Sequence, residues 1–431
     1  MALADVESLL KEVYDEQIKD MWTHGQALVN KLQRAPKIQA NTRAVVLNQW
    51  VAPGGDFKGM DFDGGAYPRG TSPVSKKPTI STIGLTFALN VTTLTQWATR
   101  NNKLAVANVM DELIPRGIEK FKDWMECLLN AQDNDGVLAI LSGVQNTTEY
   151  IMDSVDDPFG GYLLIEGGRY DIIASAAFPA TIRANGPYQI VPDGGLDKRQ
   201  DPAIVSFIPS GGTVAAAITG FAAEDRVVAR DLADASINPI AYHVNGSASG
   251  TWQGRSRAIP SNRSQLVAGG GNPLSVGLVR SLLASILKYK GEAQATAGLT
   301  PYLGYEQKVN WENSATAVAA IQLDSGSGPS AGTIYDRMMG DIKINNTAPL
   351  ISNRANPEEF RFIRVSDFRW IETKEIGFLP NVAGGKLHEN HNGDGDLLAS
   401  HSVIVNYMCN LGAADISSMG VINDLSFTAL F

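Results

Sequence analysis

VAPGGDFKGMDFDGGAYPRGTSPVSKKP, Val51–Pro78, runs into TISTIGLTFALNVTTLT, Thr79–Thr95, and then into a long amphipathic stretch, Asn102–Ala131. The first piece has six glycines, four prolines and three spaced aromatics, Phe57, Phe62 and Tyr67. A connection longer than roughly 12–15 residues is as a rule functional or disordered. This one carries large apolar side chains that it cannot bury on itself, so they need a surface elsewhere. Another copy of the same chain is the nearest source of one. In the second piece Leu85, Phe87, Leu89 and Val91 alternate with Thr86, Ala88, Asn90 and Thr92, the pattern of a half-buried strand. In the third, apolar residues from Val106 to Leu129 recur at steps of three and four, one face of a helix about 45 Å long. Pro115 and Gly117 predict a kink within it. Gln132–Gly136, QDNDG, predicts its polar stop.

Outward from that core, Asp5 can cap a helix running to about Trp22, with Leu9, Leu10, Val13, Ile18, Met21 and Trp22 as its apolar stripe. A short helix over His24–Gln33 stops before Pro36, and Arg43–Val51 has the composition of a strand. Tyr162–Ile165, Tyr170–Ile173 and Ala203–Phe207 are short β-prone runs, and Asp193–Asp201 is a surface loop. Ser275 caps a helix that ends at Gly291. Ala315–Leu323 is expected as a strand, Phe360–Ile371 as β-rich, Gly384–Asp396 as a polar loop and His401–Asn410 as a last strand.

The chain has 431 residues, more than one compact core accommodates, since single cores stop growing near ~250–300. Its 19% charged content is below the usual ~25%, which contacts between copies would explain, as would an adhesin or a secreted β protein. The net charge is −9 and basic residues are scattered, so a concentrated DNA-gripping face is absent. Cys127 and Cys409 are expected to be reduced thiols. The N-terminus has no apolar signal core, and no run approaches the ~18–20 apolar residues of a membrane span.

Catalytic signatures are missing. Gly269–Gly271 precede a helix without the Gly-Lys-Ser/Thr of a phosphate loop. Gly326–Gly332 misses a dinucleotide spacing by one residue, and Gly246–Gly250 puts Ala248 where a nucleophile elbow needs serine. His388, Glu389, His391, Asp394, Asp396 and His401 could gather around a metal, but their spacing fits neither a zinc peptidase nor a calcium loop. No catalytic residue, cofactor or metal is expected.

In its order of elements the chain resembles the major capsid proteins of tailed bacteriophages, with the α+β Hong Kong 97-like shell fold. LADVESLLKEVYDEQIKDMW looks like the family's N-terminal arm. Trp50–Thr82 sits where the family has its extended loop, the E-loop, and Asn102–Ala131 resembles its spine helix. LLNAQDNDG is similar to the polar loop after the spine. Ser275–Lys290 and the strand after Leu299 resemble axial-domain elements, and Asn406–Leu425 resembles the closing strand and turn of the peripheral domain.

The resemblance implies an arm over 1–42, an E-loop over 43–84, a peripheral domain over 85–185 with the spine at 102–131, an axial domain over 186–354, and a return to the peripheral domain over 355–431. It implies a non-enzymatic subunit of an icosahedral virion, forming pentamers and hexamers around double-stranded DNA without reading its sequence. Assembly would take place in the host bacterial cytoplasm, with no membrane. The implied partners are copies of itself, a portal protein, a scaffolding protein and decoration proteins. No long charged segment precedes the arm, so the scaffolding protein is expected to be separate. Intersubunit anchors are expected at Leu10, Val13, Trp22, Trp50, Phe57, Met60, Phe62 and Tyr67. Some family members crosslink an E-loop lysine to a neighbour's asparagine, for which Lys58, Lys76, Lys77 and Asn410 are the candidates here. The competing readings are an encapsulin-like compartment shell and a metal-dependent β-rich hydrolase using the His388–His401 loop.

Overall fold

The computed structural model describes residues 27–33, 35–39, 44–47, 49–52, 55, 70–92, 103–152, 161–179, 181–198, 203–291, 298–323, 344, 347–380, 387–391 and 397–427. The chain enters with a helix, α1 (Ala27–Gln33), which buries Leu28, Val29 and Leu32, and a short strand, β1 (Lys37–Gln39). The expected strand Arg43–Val51 is two strands, β2 (Ala44–Val46) and β3 (Gln49–Ala52). They run out and β4 (Val74–Lys76) and β5 (Thr79–Ser81) run back, with β3 paired to β4 and β2 to β5. Then comes β6 (Ile83–Thr92), whose Leu85 is buried while Gly84, Thr86, Ala88 and Asn90 are exposed.

The long helix, α2 (Lys103–Asn130), lies within a residue of its expected bounds at each end. Gly117 lets it approach β6, since a Cβ there would sit 2.7 Å from Leu89 Cδ1. Its stop follows the polar chemistry of the sequence. Asp133 Oδ1 accepts from the Asn134 amide (2.8 Å), and Asp135 Oδ1 accepts from the Val137 amide (3.0 Å). Gly136 turns the chain at φ +82°, where a side chain would be strained and would also strike the Leu232 carbonyl.

The next seven strands form one antiparallel sheet: β7 (Val137–Val144), β8 (Glu149–Met152), β9 (Arg169–Ile173), β10 (Tyr188–Ile190), β11 (Leu196–Asp197), β12 (Ile204–Ile208) and β13 (Asp225–Ala229). Their order is β10-β9-β13-β7-β8-β12-β11, and β10 also pairs with β12. That second pairing closes six of them into a barrel, which removes the free edges of an open sheet. Tyr150, Tyr188 and Phe207 are buried, with Phe207 in ring contact with both tyrosines, and Phe221 packs at a tilt against Tyr150. The expected boundary at 185/186 lies inside this barrel. Tyr162–Ile165 is a buried turn and not a strand, because Lys198 and Arg354 each donate to the Tyr162 and Leu164 carbonyls. The expected loop Asp193–Asp201 includes β11, where Leu196 is buried.

After a short helix, α3 (Ile240–His243), and a hairpin of β14 (Thr251–Trp252) and β15 (Arg255–Ser256), the chain builds a second layered unit. Its elements are β16 (Gln265–Asn272), α4 (Val276–Lys290), β17 (Leu299–Leu303), α5 (Tyr305–Leu323), β18 (Leu350–Ile351) and β19 (Phe360–Arg364). As expected, Ser275 Oγ caps α4 by accepting from the Leu278 amide, and Gly291 ends it. Ala315–Leu323, expected as a strand, is the second half of α5. A short apolar run does not distinguish the two, and four of these nine residues are alanine, the best helix former.

The chain closes with β20 (Phe368–Phe378), β21 (Leu387–His391), β22 (Leu397–Ala413) and β23 (Gly420–Leu425). The order β1-β20-β22-β21, with β6 also on β22, makes a five-stranded sheet beside α2. Part of the expected loop Gly384–Asp396 is therefore β21, paired with β22. The closing stretch Asn406–Leu425 is divided between two sheets. Its first half is in β22, and β23 enters the order β16-β23-β19-β17-β18 beneath α4.

Candidate intersubunit surface

The pairs β2–β5 and β3–β4 are successive rungs of one two-stranded ribbon. Between them the Leu47 amide donates to the Pro78 carbonyl (2.9 Å). Farther out the Gly55 amide donates to Thr71 O (3.1 Å), and Thr71 Oγ1 donates back to Gly55 O (2.8 Å). All of β4 is exposed, and Val46 and Val74 are 55% and 50% exposed. A lone two-stranded ribbon is marginal in water. This one is held at its root, where Leu47 and Ile80 pack on Ile371 of β20. Thr82 Oγ1 meets Thr373 Oγ1 at 2.7 Å, and Asn410 Nδ2 donates to Ser81 O at 2.7 Å.

Of the anchors expected from sequence, Trp50 lies on β3 opposite Ser75. Leu10, Val13, Trp22, Phe57, Met60, Phe62 and Tyr67 lie outside the described residues, as does Lys58. Lys76 and Lys77 are exposed on the returning side of the ribbon. Asn410 does not suit the acceptor role. It is 4% exposed, its Nδ2 is committed to Ser81, and its Oδ1 accepts from the Asn238 (2.9 Å) and Leu411 (2.7 Å) amides. Val46 and Val74 were not singled out by sequence reasoning, because single valines in short β runs carry no mark of exposure.

Beneath the root lies a buried polar lock. Trp252 Nε1 donates to His243 Nδ1 (3.0 Å), so His243 carries its proton on Nε2 and donates to the Leu411 carbonyl (3.2 Å). Asn238 Nδ2 donates to the same carbonyl (3.0 Å). Burial pushes His243 down to about 3, helped by the nearby Arg257 cation and opposed by the bond to Leu411. The ring is therefore neutral, which suits a group that must both accept and donate.

A second lock sits on α2. Glu126 Oε2 accepts from the Val29 amide of α1 (3.1 Å), and Oε1 accepts from Ser352 Oγ (2.7 Å). One turn on, Asn130 Oδ1 accepts from the Tyr302 hydroxyl of β17. One carboxylate and one amide on α2 thus hold the entering helix and the sheet under α4. Burial raises Glu126 to about 7, against the lowering effect of its hydrogen bonds. The sequence held a signal for this site, a glutamate inside the apolar stretch Trp124–Leu129, which sequence reasoning passed over.

The histidine-rich stretch does not form a described metal site. His388 Nε2 lies 2.9 Å from the Leu379 carbonyl, and no group of three His, Cys, Asp or Glu side chains able to hold a metal occurs among the described residues. Both cysteines are free and buried. No helix among the described residues is long and apolar enough to cross a membrane.

No protein-family model and no curated protein matches the chain. Among solved structures it is similar to a chain of the cyanophage A-1(L) capsid asymmetric unit, with 12% identity over 93% of each chain and a TM-score of 0.51. Lower-scoring likenesses include a chain of Mycobacterium phage Cain, 9% identical over 100% of this chain and 99% of that one, TM-score 0.41. Another is the holo-SrpI encapsulin complex from Synechococcus elongatus PCC 7942, 9% identical over 92% and 86%, TM-score 0.42. The cyanophage likeness establishes the fold: this chain has the α+β fold of a phage capsid chain.

Proposed function

We propose that the chain is the major structural subunit of a tailed-phage head, forming the pentamers and hexamers of an icosahedral shell around double-stranded DNA. The observation that carries this is the ribbon. It leaves the body as two strands with Val46 and Val74 uncovered, and it is stiffly rooted in the β20–β22 sheet. Rigid roots under an exposed tip suit an element that grips a neighbour.

In this reading 1–42 is the arm and 43–84 the E-loop. α2 is the spine, and it forms the peripheral domain together with the sheet of β20, β22 and β6. The β16–β19 sheet with α4 and α5 is the axial domain, and β7–β13 form a barrel inserted after the spine. The intersubunit anchors are Trp50 and, beyond the described residues, Leu10, Val13, Trp22, Phe57, Met60, Phe62 and Tyr67. The role is mechanical and not catalytic. The partners are other copies, a portal, a separate scaffolding protein and decoration proteins, and the product is a virion assembled in a bacterial cytoplasm.

Deleting Gly54–Gly70 tests the ribbon. The expected product is a soluble capsomer that forms no stable closed shell, and normal shells would refute the role. Coexpression with and without neighbouring viral proteins tests the scaffold, and regular shells from this chain alone would count against it. Nuclease-resistant DNA inside the particles separates a head from an enzyme-filled compartment. A monomer that binds zinc would favour the hydrolase reading.

A further inference from the structure

The stretch Ala235–Gly291 contains no aspartate or glutamate and six basic residues, in a chain whose net charge is −9. Three of the six, Arg255, Arg257 and Arg263, fall within nine residues, on and just after the β14–β15 hairpin. Gln253 and Gly254 turn that hairpin at φ +48° and +75°, which sets Arg255 opposite the buried Trp252. The guanidinium carbon stands 5.5 Å from the centre of the indole ring, and Nη1 donates to Asn262 Oδ1 (3.4 Å). Nε and Nη2 form the edge that grips a carboxylate with two parallel hydrogen bonds. In Arg255 both are buried without a partner among the described residues.

Arg183 shows the same edge filled. Its Nε donates to Asp225 Oδ2 (2.8 Å) and its Nη2 to Asp225 Oδ1 (2.6 Å). Arg255 has no such counterpart among the described residues. Burial lowers it from the usual arginine value, and no carboxylate raises it again. Its placement is also inside out. A long cationic side chain ordinarily buries its stem and keeps its head in water. Arg255 is partly exposed, yet two of its three head nitrogens are buried. Buried donors without acceptors are costly, so a rotation that carries the head to an acceptor outside the chain is favoured once one is present.

We propose that Arg255 is an intersubunit clamp whose free edge takes an aspartate or glutamate carboxylate of a second copy, an inference that rests on the shell reading above. All 45 acidic residues of the chain lie outside Ala235–Gly291. Two copies meeting through this same stretch would set cation against cation. The contact is therefore heterologous, one surface of the first copy on a different surface of the second. Contacts of that kind close into rings when the rotation between copies closes, which is the geometry of a capsomer.

Carbodiimide coupling in assembled full-length protein tests this. Arg255→Lys keeps the positive charge and loses the two-pronged edge. Chains carrying it are assembled as an equal mixture of two isotope labels. The expected product is an amide between the introduced amine and an aspartate or glutamate of the other label. Closed shells in which the amine couples only within its own copy, or to nothing, would overturn the clamp and leave the shell reading standing. Should the variant fail to assemble, phenylglyoxal, which attacks guanidinium groups, decides the matter on the parent protein. Arg255 is expected to react about tenfold faster in unassembled subunits than in shells. Equal rates in the two states would overturn the clamp. A parent protein that forms no particle would overturn the shell reading and the clamp with it.

Discussion

Glu126 and His243 each hold separate parts of the chain together through groups that titrate, and their environments push them in opposite directions in pH. Glu126 is raised to about 7, so the folded chain holds a proton that the unfolded chain has lost. Its contribution is fully present below the unfolded value near 4.5 and is lost as pH rises through about 7, on the order of 3 kcal/mol in all. His243 is depressed to about 3, so its contribution is present above 6.5 and is lost as pH falls toward 3. Glu126→Gln should flatten the decline in melting temperature between pH 4.5 and 8 and leave the acid limb unchanged. An unchanged alkaline limb would show that Glu126 is not its source. His243→Ala would leave the Trp252 indole without its acceptor, take one of two side-chain donors from the Leu411 carbonyl and create a cavity, at a cost of about 3 kcal/mol by denaturant titration. Neither role was legible in the sequence. A histidine flanked by Tyr242 and Val244 gives no hint of a tryptophan nine residues on, nor of a carbonyl on β22. Such partners are fixed by tertiary packing.

Among the elements, α2 and α4 were legible because period, caps and stops agree with one another. Ser275, Gly291 and the QDNDG turn act locally, so the sequence contains the whole argument for them. β21 was not legible, because its pairing with β22 is what makes a polar stretch a strand. The second half of α5 was misjudged because short apolar runs suit either state. The contact between α2 and β6 depends on Gly117. Gly117→Val should force Leu89 to move and cost roughly 1–3 kcal/mol through overpacking. A melting temperature equal to the parent's would mean that β6 yields freely there. The ribbon's existence was legible from its composition. Its two-rung geometry and buried root were not, since Ile371 and Asn410 come from the far end of the chain.

For the whole molecule, the order of elements carried the fold where no single motif did. An extended segment, a strand, a long helix and a late β-rich return suffice to suggest an α+β shell fold, and the cyanophage capsid likeness agrees with that fold class. The closed barrel was not legible. Its strands are short, and the closure depends on one pairing between β10 and β12. The molecule that results has a core on both sides of α2 and a ribbon whose apolar surface nothing described on this chain covers. Electron microscopy of the purified protein, coexpressed with the products of its neighbouring genes, tests the central claim most directly. Closed shells with a regular wall of repeating capsomers are predicted; a protein that stays monomeric at every concentration would contradict the account.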